Sequence, residues 1–417
     1  MGRTLSSLAA LLLGAGIMMA GNSLLGIVLP LKMDAAGFST EMVGLVMAAY
    51  FGGLLAGSIY GKRLIGEVGH IRAFAGFAAI IAAVTLAYPM VFNAVSWAIL
   101  RFVGGFCIAG LFAAMESWLN ERSDNAIRGQ VLSIYMAVNY MAIMAGQLMI
   151  NLWDVGAVDG FIMAALLTSL SLVPVVLTRV QAPSLEDIEP LAFRALYRAS
   201  PLAVVGSGIA GMVMGSYYAM GAVFADSQGF EVFEVSLFMS SVILGGMVLQ
   251  WPIGRVSDRF DRRTVLLCVL CVAALACAGG VAATVARVPL PVFLGLGVVM
   301  GGAMTTIYPI CVAQAFDYLP RSRYVAASSG LMLAYALGAT AGPVTSAFAM
   351  GALGPVALFG FIGTVAALFA AFVVYRMAAR RPLPAAEQEP VVSMPRMSPV
   401  CAELDPRALE LELEEAE

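Results

Sequence analysis

Of the 23 Lys and Arg residues in this 417-residue chain, 20 fall in segments that share one side of a series of apolar runs. Only Lys32 and Arg287 fall on the other side, and Arg101 lies inside a run. Each run is about 20 residues long, the length an α-helix needs to cross ~30 Å of hydrocarbon. Cations gathered on one side of such runs mark the cytoplasmic loops of membrane proteins. The chain is therefore expected to cross a bilayer many times. With 12% charged residues, against roughly 25% in soluble domains, it has too little polar surface to stay dissolved. A net charge of −3 with no basic patch excludes nucleic acid as a partner.

Reading the apolar runs against Gly, Pro and charged breakers predicts twelve spans. They cover residues 5–30, 41–61, 72–91, 94–119, 129–150 and 160–178 in the first half, and 201–224, 235–254, 264–286, 291–313, 325–350 and 352–377 in the second. The expected fold is an all-α membrane protein: residues 1–178 as an N-terminal six-helix bundle, 179–200 as a cytoplasmic linker, 201–377 as a C-terminal bundle. Residues 378–417 form an acidic tail that lacks apolar mass and is expected to be disordered or held by a partner. The uncharged run from Thr4 to Leu31 is too long for a signal-peptide core and reads as the first span. An even span number puts both termini on the cytoplasmic side, and the short, Lys-poor loops point to a bacterial inner membrane. Cys268 and Cys271 form a C-x-x-C inside a span with no second pair nearby, so no metal and no cofactor are expected.

The halves match at an offset of 196 residues, with Gly105 on Gly301, Glu121 on Asp317 and Gly146 on Gly342. At 197, Gly57 falls on Gly254. Duplicated six-helix halves are a transporter signature, with the site between them and rocking of one against the other.

After the eighth span comes Gly254-Arg255-Val256-Ser257-Asp258-Arg259-Phe260-Asp261-Arg262-Arg263. It resembles the loop signature of the major facilitator superfamily, departing only at Asp261, where that family has glycine. The resemblance implies the major facilitator fold over nearly the whole chain except the tail. It also implies a latch on the cytoplasmic side, in which Gly254 allows close helix approach, Asp258 faces the start of the fifth helix near Arg128, and Arg262 pairs with Asp317. Arg259 and Arg263 complete the basic turn. A solvated basic turn that only sets topology is the alternative. The first-half copy, around Gly57 to Arg63 and Gly69, lacks the acid in either frame, so its latch is expected to be weaker. A second stretch, Glu121-Arg122-Ser123-Asp124-Asn125-Ala126-Ile127-Arg128-Gly129, is similar to sugar-porter members of the superfamily, with Arg128 expected to meet Glu121 or Asp258. The segments around Arg101–Gly105 and Met115–Leu119 resemble the YcaD-like bacterial subgroup.

A charge inside a span is a functional candidate because it is costly unless paired or hydrated. Arg101 fits the family's Arg-x-x-x-Gly pattern with Gly105; it either faces the cavity, where the resemblance implies proton tuning or anion holding, or anchors helix carbonyls. Glu116 is either a protonatable coupling group or a rim residue that closes a gate or meets Lys62 or Arg63. Further cavity candidates are Asn22, Asn139, Tyr140, Gln147, Tyr217, Thr305, Tyr308 and Tyr335, beside Ser23, Tyr218 and Thr306. Such groups suit a small, partly apolar or anionic solute. They also serve as interhelical glue. His70, the single histidine, reads as solvated loop filler.

The leading expectation is a secondary active transporter working by alternating access with proton coupling, in uptake or export, acting as a monomer on a small-molecule substrate in a lipid bilayer. Multidrug efflux is one alternative, weakened by the missing Gly-Pro-Gly-rich stretch in the fifth span. A non-transporting receptor or scaffold is another. A membrane enzyme is disfavoured by the lack of H-E-x-x-H or clustered acids, and a primary pump by the lack of a G-x-x-x-x-G-K-[ST] loop.

Overall fold

The computed structural model describes residues 2–123, 127–177, 191 and 193–379, and in the tail 383–384, 387–392, 398, 400, 404–405 and 407, with side chains from Leu8 onward. Among these, twelve helices are long and apolar enough to span a bilayer. The first half holds α1 (Gly2–Ala35), α2 (Thr40–Val68), α3 (His70–Ala87), α4 (Ala94–Arg122), α5 (Arg128–Leu148) and α6 (Asp159–Val176). The second holds α7 (Pro201–Ser227), α8 (Val232–Arg259), α9 (Arg262–Ala286), α10 (Leu290–Phe316), α11 (Tyr324–Leu353) and α12 (Ala357–Ala379). A short helix, Phe193–Ala199, precedes α7, and its Leu196 is buried against Gly330; most of the expected linker lies outside the described residues. Several helices overrun the predicted spans, because a helix continues past the hydrocarbon boundary into polar sequence. Thus α2 carries Lys62 and Arg63, and α8 carries Asp258 and Arg259.

Each end is defined locally. Asn93 caps α4 by accepting from the Ser96 N–H at 2.8 Å, and Glu231 and Glu234 close a reciprocal capping box at α8. Gly37 and Gly229 both turn at φ 78°, a conformation that suits glycine. They stand 192 residues apart and follow α1 and α7.

Glycine contacts define the internal symmetry. A methyl at Gly105 of α4 would run into the Tyr50 carbonyl of α2, and one at Gly301 of α10 into the Val242 carbonyl of α8. Likewise Gly146 of α5 abuts the Ala20 carbonyl of α1, and Gly342 of α11 the Met212 carbonyl of α7. These glycines are thus related by 196 residues and the residues whose carbonyls they meet by 192. Gly53 and Gly245, also 192 apart, abut the Phe102 and Val298 carbonyls. The expected pairing of Gly57 with Gly254 at 197 is corrected: Gly57 packs on Phe106, whereas Gly254 faces Val391 of the tail. The insertion of four residues falls between the second and fourth helices of each half.

In the tail, described residues lie against the second bundle. Val400 and Leu404 are fully buried, and Arg407 is 5% exposed, with its guanidinium 4.5 Å from the centre of the Phe316 ring and its Nη1 donating to the Pro390 carbonyl at 2.7 Å.

Candidate functional site

Lys62, Arg63, Arg72, Arg128 and Arg259–Arg263 define a basic face, and Lys32 and Arg287 belong to the opposite, far face. At the far face the two bundles are fastened. Asn151 donates to Ser236 Oγ at 3.0 Å and Ser240 to Gln147 Oε1 at 3.0 Å, joining the end of α5 to α8. Farther in, the Tyr140 hydroxyl donates to Gln250 Oε1. Gly44 and Gly351 bring α2 and α11 together, the first against Ala347 and the second against Glu41. Among the described residues, the hydrogen bonds and close glycine contacts that join the bundles lie between mid-membrane and the far face.

Beneath this seal is a central cavity of about 150 Å³ lined by both bundles. One ordered water needs only ~10–15 Å³, so the space suits an organic molecule. Arg101, seven residues into α4 and 4% exposed, reaches its wall. Its guanidinium lies 4.8 Å from the centre of the Tyr50 ring, and Nη2 lies 3.8 Å from the Met47 sulfur. Asn22 donates to the Tyr50 hydroxyl at 3.2 Å, orienting the ring that the cation faces. Nε of Arg101 and Oδ1 of Asn139 are buried without a hydrogen-bond partner among the described residues.

On the basic face, Arg262 and Asp317 form a two-pronged ion pair, Nε–Oδ2 at 2.9 Å and Nη2–Oδ1 at 3.2 Å, with side chains 1% and 2% exposed. Burial pushes the Asp317 carboxyl above the usual carboxylate range, and the Arg262 guanidinium opposes that shift. The tail completes the arrangement. The Glu389 N–H donates to Asp317 Oδ1 at 2.9 Å, Arg262 also donates to the Glu389 carbonyl, and Arg321 pairs with the Glu389 carboxylate at 3.4 Å. Asp261, standing where the loop signature has glycine, caps α9 by accepting from the Arg263 N–H at 3.3 Å and pairs with the Arg263 side chain at 3.2 Å.

Two overlapping stretches of the chain, residues 11–251 and 203–402, match the family model of the Major Facilitator Superfamily. The chain belongs to this superfamily. It is 29% identical over 384 residues to an uncharacterized MFS-type transporter of Enterobacter sp. (strain 638), and 28% identical over 384 residues to YcaD of Salmonella newport (strain SL254), also described as an uncharacterized MFS-type transporter. Each alignment covers 90% of this chain and 97% of the relative. Two solved structures share the fold. The nucleoside transporter NupG aligns with a TM-score of 0.72 at 12% identity, covering 90% of this chain and 99% of that one. A bacterial homologue of the human lysosomal transporter Spinster, inward-facing and unoccupied, aligns with 0.69 at 14% identity, covering 90% and 96%.

Within this superfamily member, Asn22, Arg101, Asn139, Tyr140, Gln147, Thr305 and Tyr335 all lie on the cavity wall. Tyr217 does not. It is fully buried inside the second bundle and donates to the Phe238 carbonyl at 3.1 Å, while its neighbour Tyr218 faces the cavity. One residue turns a helix by about 100°, which is enough to exchange the two. Tyr308 is also off the wall, buried with its ring 5.2 Å from that of Tyr335.

Glu116 is fully buried between α4 and α5, where the Tyr135 hydroxyl donates to it at 3.1 Å, and it is not part of the cavity wall. Glu121 lies exposed on the last turn of α4 and forms no ion pair with Arg128 among the described residues. Arg128 instead turns to the Ser123 carbonyl at 3.5 Å; Asp124, Asn125 and Ala126 lie outside the described residues. Asp258 does not meet Arg128 here but accepts from the Val391 N–H at 2.7 Å. Arg259 is exposed. His70 is 4% exposed, its ring 5.9 Å from Trp118, and so is not a solvated loop residue. Cys268 and Cys271 are exposed and not joined.

Sequence reasoning missed Tyr50 and the methionines of the wall. Tyr50 sits on α2, which supplied none of the cavity candidates, and its signal was its place between Met47 and Leu54 on one face.

Proposed function

We propose that this chain is a secondary active transporter that moves a small solute by alternating access, with its basic face toward the cytoplasm of a bacterium and its helices in the inner membrane. The observation that carries this reading is the central cavity walled by two related bundles whose joining hydrogen bonds and close glycine contacts, among the described residues, lie from mid-membrane outward. Opening the far face requires breaking the α5–α8 and α2–α11 contacts, and closing the basic face requires the bundles to meet there. Small residues at the moving interfaces allow such rocking at little steric cost. Proton coupling belongs to the same reading, with Glu116 taking the proton in a site shielded from the solute.

The test begins with metabolite profiling of a deletion strain against its parent, followed by flux of the leading solutes in proteoliposomes of the purified monomer. Saturable flux abolished by fixing the far face closed is the expected result; a chain that binds solute without moving it would overturn the reading. Glu116→Gln is expected to abolish acid-driven accumulation while leaving exchange of solute across the bilayer intact.

A second reading, export of varied apolar compounds, draws on the five methionines of the wall, since thioethers adapt to many shapes. Flux measured separately in right-side-out and inverted vesicles distinguishes the directions.

A further inference from the structure

The cavity holds one full charge and it is positive. Arg101 lies on the wall, and no Asp or Glu accompanies it there among the described residues. A buried cation without an anion is costly, and the neighbours of this one soften the cost without cancelling it. The Tyr50 ring offers a quadrupole and the Met47 sulfur a weak acceptor; the Nε donor has nothing. Much of the remaining wall is soft and apolar, with Met19, Met47, Met136, Met214 and Met239 converging from both bundles beside the amides and hydroxyls named above. We propose that the cavity binds an organic monoanion with an apolar or aromatic body: the anionic group pairs with Arg101, and the body packs against the methionines.

This rests on the transporter reading and gives it a substrate class. The chemistry disfavours three others. A cationic solute would meet Arg101 with no carboxylate among the described wall residues to offset the repulsion, and a zwitterion would find no carboxylate there for its own cation. A neutral solute would leave the guanidinium uncompensated. Asn139 adds direction, since its buried Oδ1 accepts nothing at present and lies on the same wall. A solute with an N–H or O–H on its body satisfies both groups at once.

The experiment uses the purified full-length chain in detergent and four probes of one shape: benzoate, benzenesulfonate, benzamide and benzylamine. Binding is read by calorimetry, and flux of the same radiolabelled probes is read in proteoliposomes. A charge-assisted, desolvated contact predicts that the two anions bind about tenfold or more tightly than benzamide, with benzylamine weakest. Arg101→Gln keeps a hydrogen-bonding side chain and should erase the preference for anions, whereas Arg101→Lys should retain most of it. Equal or tighter binding of benzamide or benzylamine overturns the proposal, as does an Arg101→Gln variant that keeps the preference, or a wild-type chain that binds none of the four. If Arg101→Gln does not fold, the wild-type ranking decides alone. Binding of the anions without flux leaves the anion site standing and removes the transporter reading; flux of benzamide alone does the reverse.

Discussion

Gly105 shows how much a missing methyl does here. Its Cα faces the Tyr50 carbonyl, so Gly105→Ala should force α2 and α4 apart at an overpacking cost of about 1–3 kcal/mol. Gly104→Ala, one residue away and facing open space, should be tolerated. Melting of the two variants in detergent, compared with the parent, separates them. Arg262 and Asp317 offer a second test. Asp317→Asn leaves a guanidinium buried opposite a neutral amide, and removing one partner of a buried pair costs about 3–5 kcal/mol. The double replacement Arg262→Met with Asp317→Leu should recover most of that loss, so a double-mutant cycle reads the coupling directly.

At this scale the charges were legible. Arg101 and the Arg262–Asp317 pair stand out because a charge in or beside hydrocarbon needs a reason. Hydroxyl and amide positions were less so, since a Tyr at 217 and a Tyr at 218 look alike until the helix rotation is known. Position 70 adds a finding the sequence kept hidden. At the 192-residue offset His70 takes the place of Arg262 and Gly66 that of Asp258, while at 196 Glu121 takes the place of Asp317. With His70 turned onto Trp118 and Glu121 exposed, these two residues do not form a counterpart to the buried pair.

Among the elements, α8 carries the most information. Ser236, Ser240, Gln250, Gly254 and Asp258 lie within about 40° of one line along it. Ser240 and Gln250 bond α5 and Ser236 bonds Asn151 just past its end, while the last two meet Val391. One stripe therefore faces the other bundle in its far and middle parts and the tail near the basic face. Ending the chain after Pro382 should uncover Gly254. In a background without native cysteines, Gly254→Cys should then react faster with a maleimide than it does in the full chain. Unchanged rates would mean the tail leaves this stripe open in solution. Transport should survive the truncation, which a tail-driven scaffold would not predict.

Span number and order were readable from hydropathy, whereas helix ends were not, because α2, α4 and α8 run on into water where no apolar signal marks them. Composition reports average polarity, and docking of the tail depends on Val391, Val400, Leu404 and Arg407 at particular positions.

For the whole molecule, the arrangement of contacts makes one state distinct: sealed at the far face, with the basic-face stretch of α8 covered by tail in place of α5. Joining cysteines placed at Gln147 and Ser240 with a short bifunctional maleimide should stop flux, yet leave the cavity reachable from the basic face by a small thiol reagent. Loss of both would contradict the seal. The overall architecture was legible because a bilayer allows few solutions, and the duplication because backbone-to-backbone packing tolerates only glycine. Which state the halves adopt was not, since the same sequence must be compatible with more than one.

Because the segment that covers α8 is part of the same polypeptide, its encounter with Gly254 and Asp258 is governed by tether length and not by how much protein a cell makes. A short tether corresponds to an effective concentration on the order of millimolar. A separate peptide spanning residues 383–407, added to the shortened chain, would have to approach that level to restore coverage.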